Sequence, residues 1–490
     1  MEDQTVRKVR TRFAPSPTGE FHIGGLRTAL INFLYSKQNH GDFILRIEDT
    51  DQSRNQEAQI QRILDNLEAL SLIPDESFAS PGIYGPYLQS QKTEIYKRRI
   101  QELVTKGKVY KCFCTEEELK EEKKDNPYLY SGKCKNLMEK EIEEKMKKNI
   151  PFSYRLKLDS SKIYAWKDYV RGEMSIPASS MGEIILMRSN GLPTYNFAVV
   201  VDDYEMNISD IFRGEEHISN TPYQIALYEA FGWEENMPNF GHLSLLVSES
   251  GKKISKRDAE AEKYSVEYLL SLGYYPEALL NYLLLLGWNL GEQEFFNLKE
   301  SVKNFTVEGL SGSPSVCDLK KLDWMSFSYL SKMDAHQYLN FVLPFFKGKI
   351  GDFQLSEEMK KEFALRFRTR VKYALALEEI AKEFFGNDYL NEKFIKKLKL
   401  DASNLEFIQK VLNFLKEYKF EKWSEMEARL LLKKLFFIFE MSKQEICHKL
   451  RFILIGEEEG LPVHSTFFLL GIERICKRLE SSLKELKKAI

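Results

Sequence analysis

The feature that most constrains this chain is a strand, a turn and a helix in direct succession near its amino terminus. A short run over 9–14 predicts a β-strand, and 15–19 is rich in turn-forming residues. Apolar residues from Leu26 to Leu34 then recur at helical spacing. A second strand is predicted over 43–47, so the chain opens as β-α-β with short connections. This order is typical of a nucleotide-binding parallel sheet.

Beyond this opening, the secondary-structure patterns differ from one segment of the chain to the next, which predicts a multidomain protein. Its 490 residues suggest about three or four domains. Lysine-rich helices and short strands over 111–189 interrupt the β/α alternation, which returns over 190–255. After a connecting region at 256–325, residues 326–490 carry almost only helical patterns, and capping boxes are predicted at Ser424 with Glu427 and at Ser442 with Glu445. We expect a split α/β Rossmann-type domain (1–110 and 190–255), an α+β insertion and an all-α carboxyl-terminal region.

Composition and charge exclude several classes of protein. The longest apolar run, from Ala278 to Trp288, is too short for a bilayer, which takes about 20 residues. The amino terminus lacks the apolar stretch of a secretory signal, which favours a cytoplasmic protein. The net charge is -2, so a polyanion would have to be held by local basic patches.

Two short motifs suggest a phosphate site. FHIGG (21–25) lies between the first strand and the first helix, where helix amides, Gly24 and the imidazole of His22 can approach phosphate oxygens. KISKR (253–257) follows a glycine far along the chain, and its cations could grip a triphosphate during displacement of pyrophosphate. Taken singly, the first could be an ordinary glycine turn and the second a solvated loop.

In this order, the two motifs resemble the paired signatures of class I aminoacyl-tRNA synthetases. Four further runs resemble bacterial glutamyl-tRNA synthetases in particular, and the resemblance extends over nearly the whole chain. These runs are RFAPSPTG (12–19), RIEDTD (46–51), PTYNFA (193–198) and RGEEH (213–217).

The resemblance implies an activity and a set of partners. The family joins L-glutamate to ATP, with Mg²⁺, as glutamyl-adenylate, and then transfers the acyl group to the 2′-hydroxyl of the terminal adenosine of tRNA(Glu). It implies that 111–189 binds the acceptor end, that 256–325 contacts the stem and that 326–490 binds the anticodon. A monomer is expected, and the sequence leaves open whether tRNA(Gln) is also charged.

The resemblance also assigns residues to the two small substrates. Glutamate carries two carboxylates and one ammonium group, so a selective pocket needs cations and an anion. Without the resemblance, the arginines concerned could form surface ion pairs and Glu48 could begin a helix. No residue is expected to act as a covalent nucleophile. The implied glutamate ligands are Arg12, Ala14, Ser16, Glu48, Tyr195 and Arg213; the implied ATP ligands are His22, Gly24, Glu216, Lys253 and Lys256, of which His22, Lys253 and Lys256 are assigned to catalysis.

Three positions depart from the wider patterns. Gly25 replaces the final histidine that is commoner across the class, a variant that occurs in this family. Val199 stands where some relatives have a substrate-binding asparagine, and Asn190 stands where many have aspartate. One glutamate contact therefore has no assigned residue.

A cysteine cluster predicts a structural zinc site that resembles the zinc knuckle of some bacterial relatives. Cys112, Cys114 and Cys134, with Tyr130, could complete a tetrahedron. Asn136 stands where some relatives have a histidine, and tyrosine is an uncommon zinc ligand. The alternative is three reduced thiols in a loop.

The sequence also has other interpretations, which concern one basic segment and the function of the whole chain. The basic segment 366–372 could contact anticodon bases or phosphates, or could be a solvated helix face. Glutaminyl-tRNA synthetase is the nearest rival function, but its anticodon module is a β-barrel, which the helical pattern contradicts. A small-molecule nucleotidyltransferase would not need the helical region. An inactive tRNA-binding paralogue would not need the intact motif residues.

Overall fold

The chain forms two compact units. Unit 1 comprises Met1–Ser271 and Pro276–Leu322, and unit 2 comprises Leu272–Tyr275 and Asp323–Ile490. The structure is a computed structural model. It describes residues 7–50, 57–125, 130, 132–252, 254, 261–289, 291–350, 353–386, 390–401 and 403–488, without the side chains of 122–125 and 353.

Unit 1 alternates strands and helices, as predicted for a Rossmann-type fold. Unit 1 also contains the beginnings of two helices that end in unit 2, at Leu272 and at 323–332. Its elements are β1 (Arg10–Phe13), α1 (Ile23–Gln38), β2 (Asp42–Leu45), α2 (Glu57–Ala69), α3 (Thr93–Thr105), β3 (Val109–Cys112), α4 (Glu116–Asp125), α5 (Glu139–Lys147), β4 (Ser153–Leu156), β5 (Ile163–Asp168), β6 (Gly172–Pro177), β7 (Ile185–Met187), α6 (Tyr195–Glu205), β8 (Asp210–Gly214), α7 (Thr221–Phe231), β9 (Asn239–Leu243), β10 (Leu246–Val247), α8 (Val266–Leu272), α9 (Pro276–Leu285), α10 (Leu298–Asn304), β11 (Ser315–Val316) and α11 (Leu319–Lys332).

Parallel strands place the two halves of the Rossmann-type domain side by side. β1 pairs with β2 in parallel, and α1 connects them with Leu26, Leu30 and Leu34 buried. Next to β1 lies β8, since the Ser209 amide donates to the Arg10 carbonyl at 2.9 Å. The two segments are remote in sequence, so tertiary packing brings them together.

A four-stranded sheet runs in the order β6, β5, β9, β8. β8 and β9 are parallel, and their register sets Arg213 opposite His242. β5 and β6, which fall within 111–189, pair antiparallel with each other, and β5 also pairs with β9 at Asp168. A separate sheet, β3-β4-β7, is antiparallel and ends at Cys112.

Unit 2 is helical, as predicted. In the part of it that the structure describes, the only strands are β12 and β13, which form one antiparallel pair. α19 is interrupted at Gly471, whose φ of 72° is unfavourable for other residues. The elements are α12 (Ala335–Val342), β12 (Lys349–Ile350), β13 (Phe353–Gln354), α13 (Glu357–Phe367), α14 (Ala376–Phe385), α15 (Glu392–Leu400), α16 (Ser403–Glu417), α17 (Glu425–Leu435), α18 (Lys443–Ile455) and α19 (Val463–Lys487).

Apolar helix faces form the core of unit 2, with Phe363, Leu377, Val411 and Leu479 among its buried residues. Each buried side chain of this size stabilises the fold by about 1.5–3 kcal/mol relative to its exposed state. Among the described residues, no helix has both the length and the apolar character that crossing a bilayer requires.

Candidate active site

One cleft in unit 1, with a volume of about 860 Å³, collects the predicted substrate residues that the structure describes. It lies where β1, the start of α1, the start of α6 and the end of β8 meet. The predicted residues that line it are Arg12, Ala14, Ser16, His22, Gly24, Glu48, Tyr195, Arg213 and Glu216.

The second signature motif approaches the same cleft. Lys253 and Lys256 lie outside the described residues, but Ile254, between them, lines the cleft with His22. The Ile254 amide donates to the carbonyl of Leu246 in β10 at 3.4 Å. The described part of the motif is therefore next to the proposed phosphate site.

The beginning of α1 leaves room for a ligand. His22 is the extended N-cap residue of this helix. No described atom lies within 4 Å of the position that a Cβ on Gly24 would take. At Gly25 a Cβ would lie 3.0 Å from the ring of Phe21, so a larger residue would force this ring to move. Gly25, which stands where histidine is commoner across the class, therefore fits against the Phe21 ring without displacing it.

Arg12 is fixed by a buried carboxylate on α6. Its Nε lies 3.1 Å from Oδ1 of Asp203, and the same Oδ1 lies 2.6 Å from Nη1 of Arg46. Arg46 is fully buried and its Nη2 lies 3.6 Å from Glu48. The arginine of the predicted pocket is therefore part of an ion network, rather than of a surface ion pair.

Glu48 occupies a dry position between cations. Only 10% of its side chain is exposed. Burial raises the pKa of Glu48 to about 7, although Arg46 and Arg12 partly oppose this shift. The carboxyl group is therefore easily protonated until a cation joins it.

Arg213 lies on β8, and one of its side-chain nitrogens is available to donate a hydrogen bond to a ligand. Its Nε donates to Nε2 of His242 at 3.1 Å, and its Nη2 donates to Oγ1 of Thr221 at 2.8 Å. Nη1 is buried and makes no hydrogen bond of ordinary geometry with a described residue, although the Tyr195 hydroxyl interacts with this guanidinium group. Burial lowers the pKa of Arg213, although a guanidinium still keeps its charge at neutral pH. A ligand carboxylate in the cleft would supply the missing acceptor.

Several structural partners of the site were not predicted from the sequence. Asp203 anchors Arg12, and the neighbouring Asp202 accepts from Lys92 at 3.0 Å and Gln89 at 2.8 Å. The signal was present, because two consecutive aspartates in an apolar helical stretch are costly unless they are paired. His242 carried no comparable local signal.

The cysteine cluster is brought together as predicted. The sulfurs of Cys112, Cys114 and Cys134 all lie within 4.8 Å of one another. The hydroxyl of Tyr130 lies 3.4 Å from the sulfurs of Cys112 and Cys114. This donor set fits a tetrahedral metal ion with three thiolates and one oxygen.

The basic segment 366–372 makes several contacts inside unit 2. Arg366 pairs with Glu425 at 2.7 Å, and Arg368 donates to the carbonyl of Leu330 at 2.7 Å. These two arginines therefore contribute to folding. An RNA contact by this segment stays a prediction.

Family models match both units. Residues 8–324 match "tRNA synthetases class I (E and Q), catalytic domain", and residues 335–483 match "Anticodon binding domain".

Full-length relatives carry one consistent name. The chain is 40% identical to the glutamate--tRNA ligase of Mycoplasma genitalium over 462 residues, which are 93% of this chain and 94% of that protein. It is 36% identical to the glutamate--tRNA ligase of Geobacillus stearothermophilus over 491 residues, covering 98% and 99% of the two chains. A solved glutamate tRNA ligase from Elizabethkingia meningosepticum, in complex with its amino acid, superposes with a TM-score of 0.84. It shares 29% identity, and the match covers 98% of this chain and 100% of that one.

Proposed function

Because the chain belongs to the glutamate--tRNA ligase family of class I aminoacyl-tRNA synthetases, which joins L-glutamate to tRNA(Glu) using ATP, we propose that the unit 1 cleft binds both small substrates. Arg12 and Arg213 bind the carboxylates of glutamate, and Tyr195 adds a hydroxyl group. Glu48 and Ser16 hold its ammonium group against the backbone at Ala14. The ATP ligands are His22, Gly24, Glu216, Lys253 and Lys256.

The observation that carries this proposal is the arrangement of charge in one cleft. Two buried guanidinium groups, Arg12 and Arg213, and the carboxyl group of Glu48 line it together. Free glutamate has the complementary set of two anions and one cation. Glutamine would leave one guanidinium poorly paired in a dry pocket, at a cost of about 2–5 kcal/mol.

The chemistry needs positioning and charge neutralisation rather than a protein nucleophile. A carboxylate of glutamate attacks the α-phosphate of ATP, and pyrophosphate leaves. Lys253 and Lys256 neutralise the charge that develops on the phosphates, while His22 orients them. Magnesium bound with ATP supplies further neutralisation of this charge. The terminal 2′-hydroxyl of tRNA then attacks the acyl carbon of glutamyl-adenylate, which forms the ester and releases AMP.

A pair of lysine variants tests the nucleotide assignment. We expect Lys256→Ala to abolish glutamate-dependent pyrophosphate exchange in the presence of tRNA(Glu), because the variant loses charge neutralisation at the transition state. The exposed Lys252, in the same loop, provides the control, and Lys252→Ala should retain exchange within a few-fold. Undiminished exchange by Lys256→Ala would contradict the assignment.

The choice of tRNA is tested by aminoacylation of purified glutamate and glutamine tRNAs with each amino acid in turn. We propose that glutamate is the amino acid in both cases and that tRNA(Gln) is a second acceptor. The helical unit 2 supports a glutamyl-tRNA synthetase, because the anticodon module of glutaminyl-tRNA synthetases is a β-barrel. Transfer of glutamine to either tRNA would contradict the pocket assignment.

The wider organisation follows the family. We propose that 111–189 binds the acceptor end, that 256–325 contacts the stem and that 326–490 binds the anticodon. The 1–110 and 190–255 segments then form the split catalytic domain. The enzyme acts as a monomer in the cytoplasm. A molar mass of one chain by light scattering, at concentrations used for charging, would support the monomer.

We also propose that the cysteine cluster binds a structural zinc ion. Cys112, Cys114 and Cys134 would provide thiolates and Tyr130 the fourth donor, a closed set that leaves no position for catalysis. The purified protein should contain about one zinc per chain, and Cys134→Ser should lower this content. Cys317→Ser is the control, since Cys317 is a buried thiol outside the cluster. Equal zinc content in both variants would contradict the site.

A further inference from the structure

The guanidinium group of Arg213 is held in one orientation from two sides. His242, opposite it on β9, accepts from Nε, and Thr221, the first residue of α7, accepts from Nη2. Both acceptors are buried. With these two nitrogens engaged, the guanidinium plane is fixed, and the buried Nη1 is left for a ligand in the cleft.

His242 can accept from Arg213 in only one tautomer. Its Nδ1 lies 2.5 Å from Oδ2 of Asp168, and a carboxylate there requires a proton on Nδ1. The lone pair of Nε2 then faces Nε of Arg213 at 3.1 Å and the hydroxyl group of Thr221, also at 3.1 Å. Burial lowers the pKa of His242, which keeps the ring neutral. Burial alone would raise the pKa of Asp168, but its interactions with the His242 side chain and its hydrogen bonds from backbone amides together lower this pKa to about 2.

Hydrogen bonds from the backbone fix the orientation of the Asp168 carboxylate beside the imidazole of His242. Its Oδ1 accepts from three backbone amides, those of Val170 and Arg171 at 3.0 Å and that of His242 at 3.1 Å. Only Oδ2 therefore faces the imidazole, and the same oxygen also accepts from Nε1 of Trp166 at 3.4 Å. The carboxylate lies at the end of β5, a strand remote in sequence from both other members of the chain of contacts.

We propose that Asp168 and His242 are positioning residues that set selectivity for glutamate by fixing the tautomer of His242 and, through it, the orientation of Arg213. Neither residue touches the substrate. The inference rests on the proposed role of Arg213 in binding a glutamate carboxylate. With the other tautomer, the N–H at Nε2 of His242 would face the N–H of Arg213 and would donate to Thr221 instead, so Arg213 would lose the acceptor that fixes its Nε.

An isosteric variant can reverse the tautomer. In Asp168→Asn, the three backbone amides require the amide oxygen at the Oδ1 position, so the NH₂ group faces Nδ1 and moves the proton of His242 to Nε2. We expect at least a tenfold rise in KM for glutamate, with KM for ATP changed less than twofold. Selectivity for glutamate over glutamine should fall by a similar factor.

Asp210→Asn is the matched control for this experiment. Asp210 is equally buried on β8, but it binds Tyr169, Ser209 and Asn239 and contacts neither His242 nor Arg213. Both KM values should stay within twofold of the wild type. If Asp168→Asn leaves KM for glutamate unchanged, or raises KM for ATP equally, the proposal is wrong.

A second pair of variants covers the case in which Asp168→Asn does not fold. His242→Gln keeps an acceptor within reach of Arg213, whereas His242→Met has a similar length without one. We expect His242→Met to raise KM for glutamate at least tenfold and His242→Gln to recover part of this loss; equal values would overturn the proposal.

Arg213→Ala distinguishes the positioning role of Asp168 and His242 from the glutamate-binding role of Arg213 on which it rests. If this variant binds glutamate normally, the proposed role of Arg213 fails. If it loses glutamate while the Asp168 and His242 variants do not, only the positioning role fails.

Discussion

The two units differ in how many acidic and basic side chains they bury. In unit 2, Arg478 is the only buried side chain of an acidic or basic residue among the described residues, and the rest of the core is apolar apart from tyrosines and small polar groups. Unit 1 buries many such groups, most of them around the cleft or on the strands beneath it. They are Arg10, Arg12, Arg27, Arg46, Asp49, Lys92, Arg155, Asp168, Asp202, Asp203, Asp210, Arg213 and His242.

This difference indicates two kinds of ligand. A buried charge costs several kcal/mol unless it is paired, so a dry ionic network is retained where it supports a small charged substrate. A helical unit with its charges at the surface suits a long, solvated polyanion such as RNA. The comparison therefore assigns selectivity for the amino acid to unit 1, and it can be tested by removing charges from each unit.

The largest effect is expected for Asp203→Asn in unit 1. This variant leaves Arg12 and Arg46 without the anion that they share, so local stability should fall by about 3–5 kcal/mol and charging activity should be lost. Hydrogen exchange followed by mass spectrometry should show faster exchange in peptides from β1 and α6. Peptides from unit 2 should be unchanged, and protection of β1 equal to the wild type would contradict the network.

Arg478→Met should destabilise unit 2 by about 2–3 kcal/mol. Arg478 donates to the carbonyl groups of Phe384 and Gly386 at 2.8 and 2.7 Å, and to that of Leu454, at the ends of α14 and α18. Exchange should accelerate in those two helices. The exposed Lys477 on the same helix is the control, and Lys477→Met should change protection by less than about 0.5 kcal/mol.

The raised pKa of Glu48 predicts a pH dependence in unit 1. Below its pKa of about 7 the carboxyl group is protonated and cannot pair with the ammonium group of glutamate. The value of kcat/KM for glutamate should therefore fall about tenfold for each pH unit below 7 and level off above it. Glu48→Gln should be much less active and lack this slope. An identical slope in the variant would assign the titration to another group.

The smallest effect is expected for an exposed ion pair of unit 2. Lys397 and Glu458 lie 2.9 Å apart, with about half of each side chain exposed. Because water screens such pairs, Lys397→Met should change the stability of unit 2 by less than about 1 kcal/mol. A loss as large as that for Arg478→Met would remove the contrast between buried and exposed charge.

Local sequence patterns predict the alternation of strands and helices in unit 1 and the helical character of unit 2, whereas the cleft residues are assigned through the resemblance to a family. At Ser442 the predicted capping box with Glu445 is confirmed. At Ser424 only half of the predicted box forms, because the carboxylate of Glu427 accepts from the hydroxyl of Tyr418 at 2.6 Å. Competition of this kind depends on tertiary packing, which a local pattern does not contain.

The chain of contacts from Asp168 through His242 to Arg213 shows the same limit within the site. The three residues lie on β5, β9 and β8, and they meet because of the order and register of the sheet. Periodicity predicts that each strand exists and which face is buried. It does not predict which residues of distant strands become neighbours.

The proposed role of the unit 1 cleft depends most on where glutamate binds, which a crystal structure of the protein with L-glutamate would show directly. We expect one carboxylate within hydrogen-bonding distance of Nη1 of Arg213 and the ammonium group next to Glu48. Glutamate bound outside this cleft, or bound in it with Nη1 still lacking an acceptor, would contradict the account.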